Sequence, residues 1–383
     1  MDVQLVETYE ALEPALLDGW VRARSLHERA DVYSHPMRAF LESKAYGLPK
    51  IVLQTENQTF VAACSAVVRE KWRWPIKIGP QIFGSVGASR AAIQSGALVF
   101  EGESELGRIR SLVQSVLRTL KDVEVFYFEN VEVGSLLEQA LTTPPLAKEM
   151  LLYLPTEPVD HHLLEMDKSY ADYLSKFNSK KRNELKRKIK ETSEALGDVS
   201  LKVYRTPEEA EAFSVVAEKI SGKSWQGKKF GRVLGKERGE QFVSLAKQGW
   251  FFGFVLFAGD HALAFEYDVA DPGASLVLAE EAGYDPEYAS FQPGKTLQVK
   301  IVEYLAKEHA FRFYDFGTGD HPYKRVFSNR TFEERNLFLV RRSPRMSAAV
   351  NLQKASERVA TFAREELKKR GVLDRARRFV RKA

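Results

Sequence analysis

Three apolar runs at residues 250–258, 262–269 and 275–281 constrain this chain more than any other feature, because only the short turns GDH and ADPGA separate them. Apolar runs of strand length bounded by Gly, Asp and Pro predict an antiparallel meander. A stretch with helical spacing follows at 295–309, then one more strand at 311–316, which enters a glycine-rich loop at 317–322. Meander, helix and further strand predict a mixed central sheet flanked by helices, of the α/β (α+β) class.

The first half carries a weaker version of the same order. Helices are predicted at 5–24 and 36–43, strands at 50–54, 59–68 and 76–78, and a Gly/Ser loop at 84–89. A helix at 105–120, a strand at 123–130, a helix at 134–141 and a strand at 151–155 complete it. The second half opens with one long helix at 170–196, a strand at 200–204, and helices at 207–221 and 241–248. A length of 383 residues suits about two domains. The expectation is two related lobes, 1–160 and 161–345, the first degenerate, followed by a basic helical tail at 346–383.

The net charge is +5 but unevenly placed. Residues 176–190 hold eight Lys/Arg against one Glu, and 341–383 hold fourteen against four acids, so the remainder is acidic. Such clusters point to an anionic partner or ligand. Two readings of the tail stand side by side: a solvated helix packed on the body, and a helix resting on an anionic membrane or on a partner. The single cysteine, Cys64, lies in the apolar run VAACSAVV; it reads as a small core residue in a reducing compartment. The start MDVQLVETYE lacks a signal-peptide pattern, and the longest apolar stretch, 250–259, is about half of what a bilayer requires. The expected location is cytoplasmic, with the tail as a route to the inner face of the membrane. P-loop, dinucleotide, GxSxG, HExxH and Cys/His zinc patterns do not occur, which weighs against NTPase, dehydrogenase and metal chemistry. His161 and His162 read as a surface pair, and no residue is assigned to a metal.

Four constellations can carry chemistry. The segment Tyr284, Asp285 … Gln292, Pro293, Gly294, Lys295, Thr296 precedes a helix. Its stiff Pro and permissive Gly stand at the first turn, where free N–H groups and the helix dipole favour a pyrophosphate. The plain alternative is an ordinary helix entry. Next, Asp315 shares a strand face with Phe311 and Phe313 and leads into a loop bearing Asp320, His321, Tyr323 and Lys324. A carboxylate on an apolar face is costly unless paired or used. Acyl transfer to an amine needs a base and a donor to the leaving thiolate, which this cluster offers; Asp315 capping the loop, with Lys324 pairing to it, is the structural alternative. Third, Lys181 interrupts the apolar stripe Leu174, Phe177, Leu185, Ile189 of a strongly basic helix. Last, Trp225 and Gln226 lie in a Gly/Lys-rich loop, as pocket wall or core plug.

The blocks SY..YLS....KKR..LKRK, SWQG, YDPEYASFQPGKTL and YDFGTGD.PYK, in that order from about Ser169 to Lys324, resemble the GNAT-like domain of bacterial acetyltransferases associated with cellulose or other exopolysaccharide biosynthesis. These are similar to the Fem-type aminoacyltransferases, which pair two GNAT lobes. The resemblance implies an acyl donor, acetyl-CoA or another acyl-CoA, lying across splayed strands with its pyrophosphate at Gln292–Thr296. It implies catalytic residues Asp315, Asp320, Tyr323 and Lys324, and substrate contacts from Lys181, Trp225, Gln226, Tyr284, Asp285 and His321. Direct attack by an amine of a sugar or cell-envelope precursor is the implied reaction, with no covalent enzyme intermediate. His321 stands where the family pattern commonly has an acid, and Gln292–Thr296 is poorer in Gly and Arg than the usual phosphate loop. Two other functions follow from the same resemblance: an aminoacyl-tRNA-dependent transferase, the one setting in which nucleic acid is a partner, and a non-catalytic binding protein on the same scaffold.

Overall fold

The computed structural model describes residues 1–383 except 79–80, 156, 167–168, 225–232, 272, 309–310 and 370–383; at 42–46, 181, 236, 308, 363–364 and 367–369 it describes the backbone alone. The first half supplies β1 (Asp2–Val6), β2 (Leu48–Glu56), β3 (Thr59–Ile78), β4 (Gln81–Gln94), β5 (Leu98–Phe100), β6 (Val125–Glu132) and β7 (Met150–Tyr153). The second supplies β8 (Val159–Glu165), β9 (Val199–Tyr204), β10 (Phe251–Ala258), β11 (His261–Val269), β12 (Leu276–Tyr284), β13 (Phe313–Thr318) and β14 (Arg330–Arg341). All fourteen strands belong to one sheet, ordered β1-β2-β3-β4-β6-β14-β8-β13-β12-β11-β10-β9, with β5 on β3 and β7 on β14.

Two copies of one unit lie in this sheet. In each, three antiparallel strands lead through a helix to a strand parallel to the third: β2-β3-β4, Leu106–Thr119, β6; and β10-β11-β12, Pro293–Glu308, β13. The helix Leu106–Thr119 buries Ile109, Leu112, Val113, Val116 and Leu117, a three/four spacing that lays one face on Cys64, Ala91 and Phe126. Pro293–Glu308 does the same with Leu297, Ile301, Val302 and Leu305 over Phe254, Val277 and Tyr314. Cys64 is buried, as its apolar run implies, and burial pushes its thiol up to about 12.

The strands that join the units are exchanged. β14, near the C-terminal end, pairs with β6 of the first unit, while β8 pairs with β13 of the second; β8 and β14 pair with each other at the centre. The N-terminal segment bridges the halves: Arg24, on the helix Pro14–Ser25, makes a buried bidentate pair with Asp271 at 2.8 and 2.7 Å.

Several sequence expectations need correction. The predicted helix at 5–24 splits, because Pro14 starts the helix and Leu5–Val6 belong to β1 on the sheet edge. The predicted loop at 84–89 is part of β4, which runs with β3 as a long hairpin. The predicted helix at 170–196 is two, Tyr170–Ser175 and Ser179–Leu196, with Phe177 turning into the core between them. The strand at 311–316 begins at Phe313. Phe311 packs instead against Phe252, with the core under the helix Pro293–Glu308. His161 and His162 lie on β8 and are both buried.

Candidate active site

β12 and β13 pair over only three positions, Leu276↔Phe313, Val277↔Tyr314 and Leu278↔Asp315. β12 then runs on to Tyr284 bonded to β11 alone, while β13 continues to Thr318, where it meets β8 at His161. The result is a fork. Gly317 and Gly319 take positive φ (71° and 99°), which turns the β13 end away from β12. Asp315 accepts the Gly317 N–H at 2.6 Å, and Lys324 caps the same loop by donating to the carbonyls of Gly317 (3.2 Å) and Thr318 (2.7 Å).

The helix Pro293–Glu308 starts beside the fork. Gln292 adopts the left-handed conformation (φ 55°), so the chain turns sharply into Pro293. Space around Gly294 is open: a Cβ there would meet no atom within 4 Å. Lys295 donates to the Gln292 side chain at 2.7 Å and lies 3.8 Å from Glu184, while Thr296 is buried. The basic helix Ser179–Leu196 lies against this entrance, with Lys188 reaching the Ser290 carbonyl at 3.4 Å. Tyr284 is exposed, and Asp285 is buried, accepting from Lys223 at 2.5 Å. The side chain of Lys181 and the whole of Trp225 and Gln226 lie outside the described residues.

On the other face of the sheet the fork opens into a cavity of about 520 Å³ between the lobes. Arg29, Asp31, Gln94 and Glu132 line it from the first half, and Leu278, Glu280, Asp315 and Glu334 from the second. His161 stands at its base. Its Nδ1 is 2.8 Å from Glu334 and its Nε2 is 2.6 Å from Asp315, the latter a close charge contact rather than a well-aligned hydrogen bond. The ring stacks on Phe332 at 4.7 Å. Burial alone would lower the His161 pKa, but carboxylates on both sides raise it to about 10, so the ring is an imidazolium at neutral pH. Asp31 is reached from the N-terminal segment. It accepts the N–H groups of Tyr33 (2.9 Å) and Ser34 (3.1 Å) and presses on Gly96, where a Cβ would lie 2.4 Å from its carboxylate. Burial raises it to about 6, with the Asp315 charge adding to the shift. Five carboxylates against Arg29 and His161 leave the cavity acidic.

The remaining loop residues do not converge with Asp315. Asp320 is exposed and held by both arms of Arg325, with His162 Nε2 at 3.9 Å. Asp160, His162 and Asp320 hold one potential ligand atom each within 4.8 Å of one another, but Arg325 already engages both Asp320 oxygens. His321 is exposed at the start of the helix Pro322–Phe327. Tyr323 lies on the opposite face from Asp315, among the residues under the helix Pro293–Glu308. There Glu266 accepts from Tyr314 and Gln298, and Asp268 is buried next to it. Burial pushes Glu266 up to about 7 and Asp268 well above its usual range. Burial and these two acids also raise the Tyr323 phenol, which stays protonated. The sequence reading missed His161, Glu334 and Asp31. Alternation in VDHHLLE and RTFEERNLFLV carried the signal for the first two; Asp31 stands in a short turn with no periodic signal.

A mixed sheet forked between parallel strands, with a helix entrance on one side and a polar cavity on the other, makes a GNAT-like fold, present twice in this chain and open in the second copy. Residues 179–325, within the second lobe, match the family model described as an acetyltransferase (GNAT) domain. No curated protein matches the chain. Among solved structures it is similar to FemX (TM-score 0.60, 12% identity, covering 89% of this chain and 97% of that one). It is also similar to the C-terminal domain of a putative lysylphosphatidylglycerol synthetase from Agrobacterium fabrum (0.53, 10%, 89% and 95%). A tandem GNAT protein from the clavulanic acid biosynthesis pathway is a third (0.52, 12%, 90% and 99%). At these identities the likeness is one of fold, and it extends over both lobes. No described helix is long and apolar enough to cross a membrane.

Proposed function

We propose that this protein is an acyl-CoA-dependent N-acyltransferase whose acceptor is a small cationic amine, such as that of an amino sugar or cell-envelope precursor. The observation that carries the reading is the fork of β12 and β13, which joins an open helix N-terminus on one face to an acidic cavity on the other. The Gly294 N–H, the helix dipole and the neighbouring Lys295 and Lys188 would hold the pyrophosphate of acetyl-CoA or a longer acyl-CoA, which when bound supplies a thioester, while the amides of Lys295 and Thr296 bond the Gln292 carbonyl at 3.0 and 3.4 Å. Asp31 and Asp315 hold the acceptor ammonium. Asp315, braced by His161 and Glu334, then takes one proton from the ammonium, which frees the lone pair that attacks, and the nitrogen's second proton leaves to solvent in the cavity once the C–N bond has formed. As the new C–N bond forms and the C–S bond breaks, Tyr323 gives its phenolic proton to the sulfur. Asp320 is left to its pair with Arg325. Isothermal titration of the protein with acetyl-CoA, followed by turnover with amino-sugar acceptors, tests this. Saturable binding and N-acetyl product are expected; absence of binding rejects the donor.

A second reading takes its support from the basic helix Ser179–Leu196 lying against the same entrance. It would let an aminoacyl-tRNA deliver the acyl group, and predicts tRNA binding that falls steeply with salt. Binding to tRNA without binding to acetyl-CoA would favour it.

A further inference from the structure

Two apolar features stand in solvent outside the inter-lobe cavity. Beyond Val68 the strand β3 leaves its partner β2 and continues with β4 as a two-stranded arm. Register slips between Ile76↔Gly84 and Lys77↔Ile82, so Phe83 is an extra residue in a bulge. Ile82 is 62% exposed and Phe83 69%. The free edge of β3 is closed by the helix Pro344–Lys369: the Lys77 N–H donates to Gln353 and the Ser356 hydroxyl donates to the Lys77 carbonyl, both at 2.7 Å.

That helix is two-faced. Met346, Ala349, Val350, Gln353 and Ser356 are buried. Leu352, Ala355, Val359 and Phe362, at steps of three, four and three, form a second stripe that faces solvent, with Val359 61% and Phe362 70% exposed. Because Ser356 touches Lys77, the helix that bears the stripe and the arm lie at one end of the molecule. The sequence here is basic: residues 341–369 carry eight Lys/Arg against three Glu, and Lys71, Arg73 and Lys77 on the arm stand against Glu70.

We infer that this end docks on an anionic lipid surface, with Phe83, Ile82, Val359 and Phe362 entering the headgroup boundary while Arg358 and the arm cations meet lipid phosphates. Charge decides between occupants. A second copy would bring two like-charged faces together, whereas an acidic bilayer complements both the apolar stripe and its basic flanks.

The test is co-sedimentation of the full chain with phosphatidylcholine vesicles, with and without about 30% phosphatidylglycerol. Binding is expected only to the anionic vesicles, falling with salt. F83S with F362S should weaken it at least tenfold, and K77E with R358E likewise. Both pairs are solvent-exposed, and an unchanged melting curve checks that each variant folds. Lack of binding to anionic vesicles overturns the inference. So does binding that survives both double variants, and so does a dimer in light scattering that F362S dissolves.

Discussion

The two lobes share an architecture and differ where the third strand meets its parallel neighbour and at the helix that joins them. In the first, β4 and β6 pair over five positions, from Arg90↔Val125 to Gln94↔Glu129, and the Gln94 side chain donates to Glu129 across the end of the ladder. In the second, pairing stops after Leu278↔Asp315 and the strands part. The helices that follow differ as well. Leu106–Thr119 starts after Glu105, which makes no side-chain cap, whereas Pro293–Glu308 starts after a left-handed Gln292 with Pro at its first position. One repeat has become wall and scaffold, contributing Asp31, Gln94 and Glu132 to the cavity; the other keeps the opening.

The largest effect that can break this division is at Asp315. D315N should lower turnover by about 10²-fold or more, beyond what the loss of one carboxylate from His161 takes from stability, with the folded fraction checked by circular dichroism; if steady-state rates persist, the cavity face of the fork is not where the proton goes. A matched pair of helix-entrance variants comes next. Gly107 and Gly294 both occupy the second helical position of their lobe, and a Cβ at either would meet open space. G294E should raise the KM for acyl-CoA about tenfold, since a carboxylate there opposes a phosphate, while G107E leaves it unchanged. Equal effects would erase the distinction between the lobes.

Two smaller effects sharpen it through pH. His161 has a folded pKa of about 10 against an ordinary 6.5, so its contribution to stability is fully present below pH 6.5 and is lost as pH rises through 10. H161Q should flatten stability over that window and cost on the order of 2 kcal/mol at pH 7, by leaving Asp315 and Glu334 without their cation. Glu266 runs in a lower window. Its folded pKa is raised to about 7, so wild-type stability falls as pH rises from the ordinary glutamate value through 7. E266Q should remove that slope and equal or exceed the wild type by about 1 kcal/mol at pH 8. The variant amide can donate to Gln298 Oε1, which has no hydrogen-bond partner among the described residues. Chemical denaturation from pH 4.5 to 10 checks both.

Much of the second lobe was legible because its signals are local. The meander, the helix 295–309 and the strand into Gly317 each announce themselves by period and punctuation, and Asp315 stood out as a carboxylate among aromatic residues. What escaped notice depends on contacts distant in sequence. His161 looks like a polar surface residue until β8 is placed between β13 and β14, where Glu334, 173 positions away, supplies its partner. Asp31 shares the cavity with Asp315 because the N-terminal segment crosses to the second lobe, where Arg24 pairs with Asp271. The four loop residues around Asp315 looked convergent because a linear spacing cannot tell which side of a sheet each one takes. Tyr323 goes under the helix, Lys324 to the loop carbonyls and Asp320 to Arg325.

The exchange of β8 and β14 has a consequence for the making of the chain. While the ribosome is still producing the second half, β6 waits beside an unfilled place, since its neighbour spans Arg330–Arg341. At about 5–20 residues per second that wait lasts on the order of ten seconds or more. Throughout it, the nascent first half presents a bare strand edge able to recruit another copy. A gene cut between the halves would make that exposure permanent, so each fragment should be sticky alone and the two should rescue each other when produced together.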